Sequence, residues 1–208
     1  MYQLENGKLM ETAIIIGGSF NPITKAHLYL GHKCKELFPK ADIIYIPSNM
    51  TYISHWKHQS LNKMFSNENR NKTLKRVFKN SPFVLSEIES SGQLSGKTFE
   101  TVEYFKKEYD EIYVVIGSDK LTEIEKWYRF TELIEEVRFI LFSRNNKSFS
   151  ELASDNLKQF QDRFIIVTDN ELQIVSSTMI RSAYENNKLD DVKEYIPIEV
   201  YDFLNKGE

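Results

Sequence analysis

The chain has 208 residues, 41% of them hydrophobic, and a formal net charge of −3; at ~150 residues per domain this predicts one domain, 1–208, with a sizeable core. There is no Lys/Arg block to make a nucleic-acid surface, and Cys34 is the single cysteine, which excludes an intrachain disulfide and two-cysteine zinc patterns. The opening stretch "MYQLENGKLMET" lacks the apolar segment of a secretory signal, and no apolar run approaches the ~20 residues of a membrane span, so a soluble, cytoplasmic protein without membrane or nucleic-acid partners is expected.

In chain order, β-branched or aromatic runs at 13–17, 42–47, 83–88, 112–117, 138–143 and 163–168 read as strands, with amphipathic helical stretches between most of them. The alternation predicts an α/β fold: a mostly parallel sheet with helices on both faces, joined by right-handed crossovers. Such sheets take ligands beyond the carboxyl ends of their strands. The first helix is predicted to follow Thr24, a good N-cap, and to bury a stripe of His27, Leu30, Gly31, Cys34, Leu37 and Phe38. Cys34 on that stripe reads as packing. Residues 48–70 are the least regular stretch, polar and rich in aromatics, Lys and His. They are either a mobile substrate loop or a surface connection.

Between the first strand and the first helix stands "GGSFNPITKAH", residues 17–27. Gly17 and Gly18 have no side chain to keep phosphates off the main chain. The first turn of the following helix offers unpaired N–H groups and the positive end of the aligned peptide dipoles, so an anion is welcome there. Taken alone, His27 on an apolar stripe is more simply a core histidine and the two glycines a tight turn. Two commoner phosphate motifs do not fit. G-x-G-x-x-G is absent from this turn, and "GQLSGKT", residues 92–98, encloses three residues between Gly92 and Gly96 where a P-loop needs four.

"GGSFNPITKAH" resembles the first signature of the nucleotidyltransferases with a (H/T)-x-G-H motif, and "SSTMIR", residues 176–181, resembles the second signature of their pyridine-nucleotide branch. "VIGSDKL" followed by Trp127, "LFSR" ending at Arg144, and "YIPIEVYDFL" then occur in the order and spacing of nicotinate/nicotinamide mononucleotide adenylyltransferases. The likeness spans nearly the whole chain and is weakest over 48–70. It implies a Rossmann-like core at 11–175 and a C-terminal helical part at 176–208 carrying the second signature. It also implies adenylyl transfer from ATP to a pyridine mononucleotide, giving an NAD-type dinucleotide and pyrophosphate. Nicotinate mononucleotide is the preferred acceptor and the nicotinamide form the next; phosphopantetheine is the alternative within the superfamily. A silent nucleotide-binding regulator is the alternative outside catalysis. Mg²⁺ would travel with the substrate phosphates, and a homo-oligomer is left open.

By the same resemblance, His27 donates to the ATP phosphates and Arg181 holds the β- and γ-phosphates; these are the catalytic pair. Gly17, Gly18, Ser19, Phe20, Thr24, Ser176, Ser177 and Thr178 line the phosphates. Gly117 and Asp119 meet the nucleotide, Asp119 through sugar hydroxyls, although an Asp there is also an ordinary helix cap. Thr98, Thr101, Trp127, Arg144 and Lys57 belong to the acceptor, with Trp127 stacked on the pyridine ring unless it is core material beside Tyr128 and Phe130, and Arg144 on the acceptor's phosphate unless it is a surface residue at a strand end. The residue types suit the chemistry. A mononucleotide phosphate is already a nucleophile near neutral pH, so the protein must mainly position groups and stabilise charge.

Three departures from the family pattern stand out. Thr24 replaces the His usual in bacterial nicotinate-type members, and Ala26 replaces Gly, adding one methyl group. "NMTYISHWKH" replaces a proline-proline-histidine-lysine element, with Lys57 standing in for its lysine. That loop helps form the acceptor pocket, so the choice between carboxylate and carboxamide rests on groups the sequence does not place.

Overall fold

The run Thr12–Gly18 (β1) is buried on both faces over Ala13, Ile14, Ile15 and Ile16, as a strand at the middle of a covered parallel sheet must be. The computed structural model describes residues 4–5, 8–9, 11–51, 65–143, 148–168 and 175–206. Five more strands join β1: Asp42–Pro47 (β2), Val84–Leu85 (β3), Glu111–Gly117 (β4), Arg138–Ser143 (β5) and Phe164–Thr168 (β6). All pairings are parallel and the six-stranded order is β3-β2-β1-β4-β5-β6. This is the doubly wound order, with its reversal between β1 and β4. Residues 4–5 and 8–9 form a separate antiparallel pair.

The helices are Lys25–Leu37 (α1), Asn67–Phe78 (α2), Thr98–Phe105 (α3), Ser118–Leu121 (α4), Phe130–Glu136 (α5), Phe149–Leu152 (α6), Asp155–Lys158 (α7), Ser177–Glu185 (α8) and Ile198–Lys206 (α9). Alternate strand residues feed two cores. Ile14, Ile16, Tyr45, Val115 and Phe142 pack under α1, α2, α8 and α9. Ala13, Ile15, Ile46, Ile116 and Leu141 pack under α3 to α7. Burying each such Ile or Leu contributes roughly 1.5–3 kcal/mol. No helix among the described residues is long and apolar enough to cross a membrane.

Five strands match their expected positions to within one residue at each end. The expected strand at 83–88 is only Val84–Leu85, because it lies at the sheet edge, where β2 alone can hold it. Beyond it Ser86 N still donates to the Tyr45 carbonyl at 2.9 Å, and then Ser91 N to Glu87 and Gly92 N to Glu89 turn the chain away. Residues 67–70, expected within an irregular stretch, are the first turn of α2. On α1, Gly31 and Cys34 are buried as expected, whereas Leu37 is 49% exposed. At 100° per residue it stands about 90° from the axis through Gly31 and Cys34. Burial pushes the Cys34 thiol up to about 12, as an inert packing group requires.

Gly31 fixes how closely α1 approaches the sheet. A Cβ there would collide with the Tyr45 hydroxyl, which donates to the His27 carbonyl at 2.8 Å. Gly31→Ala is therefore expected to destabilise by about 2 kcal/mol. At about 2–4 °C per kcal/mol for a chain of this size, thermal unfolding should show a fall of several degrees.

Candidate active site

The strands β1 and β4 pair only as far as Ile15 and Val114. Past that point β1 follows β2, with Gly18 opposite Pro47, while β4 follows β5, with Gly117 opposite Phe142. In doubly wound sheets such a divergence forms a crevice at the carboxyl ends of the strands, and here Gly17, Gly18 and Gly117 end the two strands that part. A Cβ on Gly17 would meet nothing within 4 Å, so the glycine leaves open space at the crevice. At Gly18 a Cβ would lie 2.8 Å from the Phe20 ring, which explains that glycine by packing.

From β1 the chain passes Phe20, at φ +42°, and reaches Thr24, the N-cap of α1. His27 sits at the third helical position and completes a capping box. Its Nδ1 lies 3.0 Å from the Thr24 backbone N and 2.7 Å from Thr24 Oγ1. A backbone N–H can only donate, so Nδ1 is the acceptor and the neutral ring carries its proton on Nε2. The Phe20 ring stands edge-on to the imidazole at 5.2 Å and fixes its plane. Thr24 thereby sets the histidine tautomer, a role the N-cap reading alone did not contain.

The second signature docks on this loop. Arg181 Nη1 donates to the Asn21 carbonyl at 2.8 Å and Nη2 to Thr178 Oγ1 at 2.8 Å; partial burial lowers the affinity of its guanidinium for the proton. Ser177 Oγ donates to the Pro22 carbonyl at 2.8 Å, and Ser176 Oγ accepts from Met179 N at 3.2 Å as the N-cap of α8. The single hydroxyl proton of Ser177 is therefore spent on docking α8, not on a phosphate. Thr178 accepts from Arg181 and keeps its own proton to donate. The loop that leads into α1 is thus held by two side chains of α8, Ser177 and Arg181.

The residues expected at the nucleotide and the acceptor are placed as follows. Gly117 caps α4, and a Cβ there would lie 2.6 Å from Asp119 Oδ1; Asp119 is exposed in the first turn of α4. Trp127 follows a single 3₁₀ turn, Ile124–Lys126, and is partly buried against the core under α3 to α7. Thr98 opens α3, and its neighbours reach the segment after Trp127: Lys97 Nζ lies 4.4 Å from the Tyr128 ring centroid, and the Arg129 guanidinium 4.1 Å from that of Phe99. Thr101 is buried, and its hydroxyl donates to Glu89 Oε1 at 2.6 Å, so it is committed to the protein interior. Residues 92–97 follow a turn instead of a buried strand, and Lys97 Nζ ion-pairs with Glu100 at 3.3 Å, which closes the P-loop reading. Arg144 and Lys57 lie outside the described residues.

Two residues absent from the sequence-derived site stand out. The Asn21 side chain clasps Phe65 from both sides, Nδ2 to its carbonyl and Oδ1 from its N–H, each at 3.1 Å. Arg70 is fully buried, with Nη1 on the Ser19 carbonyl at 2.9 Å and Nε lacking a partner among the described residues. Burial pushes its guanidinium down to about 10 while Glu89 opposes the shift, so it is charged at neutral pH; burial likewise pushes the Glu89 carboxyl up. An orphaned buried donor costs about 1–3 kcal/mol. The signal was present in the sequence: Arg70 occupies the same helical stripe as Thr73, Leu74 and Phe78.

A doubly wound sheet whose switch-point loop runs into a histidine-bearing helix and is held by an arginine from a second helix has the architecture of the nucleotide-binding α/β proteins. Residues 15–183 match the cytidylyltransferase-like family, and the chain belongs to that family, within its nicotinate-nucleotide adenylyltransferase branch. It is 31% identical over 202 residues to the probable nicotinate-nucleotide adenylyltransferase of Clostridium tetani, covering 95% of this chain and 98% of the relative. It is 33% identical over 196 residues to the probable nicotinate-nucleotide adenylyltransferase of Carboxydothermus hydrogenoformans, covering 91% and 93%. In fold it is similar to Plasmodium falciparum nicotinic acid mononucleotide adenylyltransferase complexed with NaAD, with a TM-score of 0.68 at 21% identity over 94% of this chain and 96% of the other.

Proposed function

We propose that this chain transfers the adenylyl group of ATP to nicotinate mononucleotide, forming deamido-NAD and pyrophosphate in NAD biosynthesis. A phosphate oxygen of the acceptor forms a bond to the α-phosphorus of ATP as the bond from that phosphorus to the bridging oxygen breaks. Pyrophosphate leaves, and no covalent enzyme intermediate is required. The observation that carries the reading is the junction of the two signatures: Arg181 on the Asn21 carbonyl and Ser177 on the Pro22 carbonyl bring α8 against the loop that ends in His27. His27 Nε2–H donates to the phosphates as charge moves onto the leaving group, and Arg181 holds the β- and γ-phosphates. Thr178 and the backbone N–H groups at the two helix starts add donors.

Asp119, exposed at the crevice edge beside Gly117, meets the ribose hydroxyls in this scheme, and Trp127 with Thr98 faces the pyridine ring. Among the described residues no group of three or more His, Cys, Asp or Glu side chains converges to cage a metal ion. The donor set suits Mg²⁺ carried by the triphosphate and water, the form this ion commonly takes with nucleotides. When bound it neutralises phosphate charge. The part of the chain at 176–208 then serves to bring Arg181 to the core at 11–175.

The test is pyrophosphate release from ATP and Mg²⁺ with nicotinate mononucleotide, nicotinamide mononucleotide or phosphopantetheine as acceptor. Release fastest with the nicotinate form supports the proposal; faster release with either of the others reassigns the acceptor, and ATP binding without release from any acceptor points to a silent regulator. Trp127→Ala is expected to raise the acceptor KM about tenfold or more, a loss of ~1.4 kcal/mol, with the ATP KM changed far less. Equal weakening of both substrates would make Trp127 a core residue instead. Lys97→Ala should leave turnover nearly unchanged, whereas a P-loop enzyme would lose it.

A further inference from the structure

The two carbonyls on either side of Phe20 are each held by an arginine from a different helix. Arg181 of α8 holds the Asn21 carbonyl at 2.8 Å, and the fully buried Arg70 of α2 holds that of Ser19 at 2.9 Å. Arg70 is itself oriented, since its Nη2 donates to Asn67 Oδ1 at 2.7 Å and Asn67 Nδ2 donates to the Ser90 carbonyl at 3.1 Å. Phe20 has φ +42°, a conformation that a non-glycine residue keeps only where its surroundings impose it. Across a trans peptide the N–H points opposite to the carbonyl. Drawing the Ser19 carbonyl down onto Arg70 therefore turns the Phe20 N–H away from the buried guanidinium. An apolar side chain would fill the same space without burying a charge and an orphaned Nε, which stability alone would favour.

We propose that Arg70 is a positioning residue for ATP: by fixing the Ser19–Phe20 peptide it presents the Phe20 N–H to a phosphate oxygen. The inference rests on the crevice being the ATP site. Arg70 touches no substrate and acts through the loop. Arg70→Lys keeps the charge, but one ammonium cannot reproduce the fork that spans the Ser19 carbonyl and Asn67. Asn67 is exposed, so Asn67→Ala removes the orienting contact without opening the core.

Titration calorimetry with a non-hydrolysable ATP analogue and, separately, nicotinate mononucleotide decides the matter. In Arg70→Lys the analogue Kd is expected to rise about tenfold or more while the mononucleotide Kd stays within about twofold. An analogue Kd within about twofold of the unaltered protein, or losses for both ligands that merely track a fall in Tm, would overturn the proposal. Should the lysine variant not fold, Asn67→Ala decides alone: a rise of about threefold or more in the analogue Kd at unchanged Tm supports the role, and an unchanged Kd ends it. Absence of pyrophosphate release by the unaltered protein would refute the adenylyl-transfer reading while leaving the analogue comparison to judge Arg70.

Discussion

His27→Ala is expected to lower kcat by about tenfold or more, removing ~1.4 kcal/mol or more of transition-state stabilisation. The structure gives the reason a directional form. Nδ1 accepts from the Thr24 backbone N–H, so the neutral ring must present Nε2–H, and the Phe20 ring fixes its plane. Such a prearranged donor acts where charge develops and needs no reorganisation during reaction. Steady-state kinetics with saturating ATP and nicotinate mononucleotide measure the loss. A Thr24→Ala variant keeps the backbone N–H and hence the tautomer, and is expected to lose less than His27→Ala. Near-normal turnover in His27→Ala would remove the imidazole from the catalytic account and leave it as the partner in a capping box.

Arg181→Ala should be the more damaging change for ATP. Charge-assisted hydrogen bonds are worth about 1.5–3 kcal/mol, so kcat/KM for ATP is expected to fall roughly 10–150-fold, with KM raised and kcat lowered together. The guanidinium does two things at once: it faces the β- and γ-phosphates in the proposed complex, and it joins the Asn21 carbonyl to Thr178 of its own helix. Arg181→Lys separates them. It restores the charge but not the planar fork, so it should recover part of the ATP affinity and less of the turnover. Unchanged ATP kinetics in Arg181→Ala would confine the residue to docking α8.

Much of this site was legible because its chemistry is local. Thr24 as N-cap, His27 one turn into the helix and the two glycines before it follow from helix-end physics within eleven residues, 17–27. Other residues changed meaning once the chain was folded. Thr101, expected at the acceptor, has its hydroxyl on Glu89, and Ser177, expected at the phosphates, has its proton on Pro22. Both hydroxyls are claimed by partners distant in sequence, 12 and 155 residues away. Arg70 is similar: the stripe of α2 marks it as buried, but its partner Ser19 stands 51 residues earlier.

By itself the sequence determined the α/β class, the parallel strand pattern and the two signature loops, because periodicity, capping and backbone freedom act over a few neighbouring residues. The tertiary structure alone decided that the loops meet at the switch point between β1 and β4. It also decided that Leu37 faces solvent, that the strand at 83–88 shrinks to two residues at the sheet edge, and that a buried arginine holds the loop after β1 by the Ser19 carbonyl. These outcomes depend on which groups compete for the same carbonyl or the same apolar surface, and that competition exists only after distant segments are packed together.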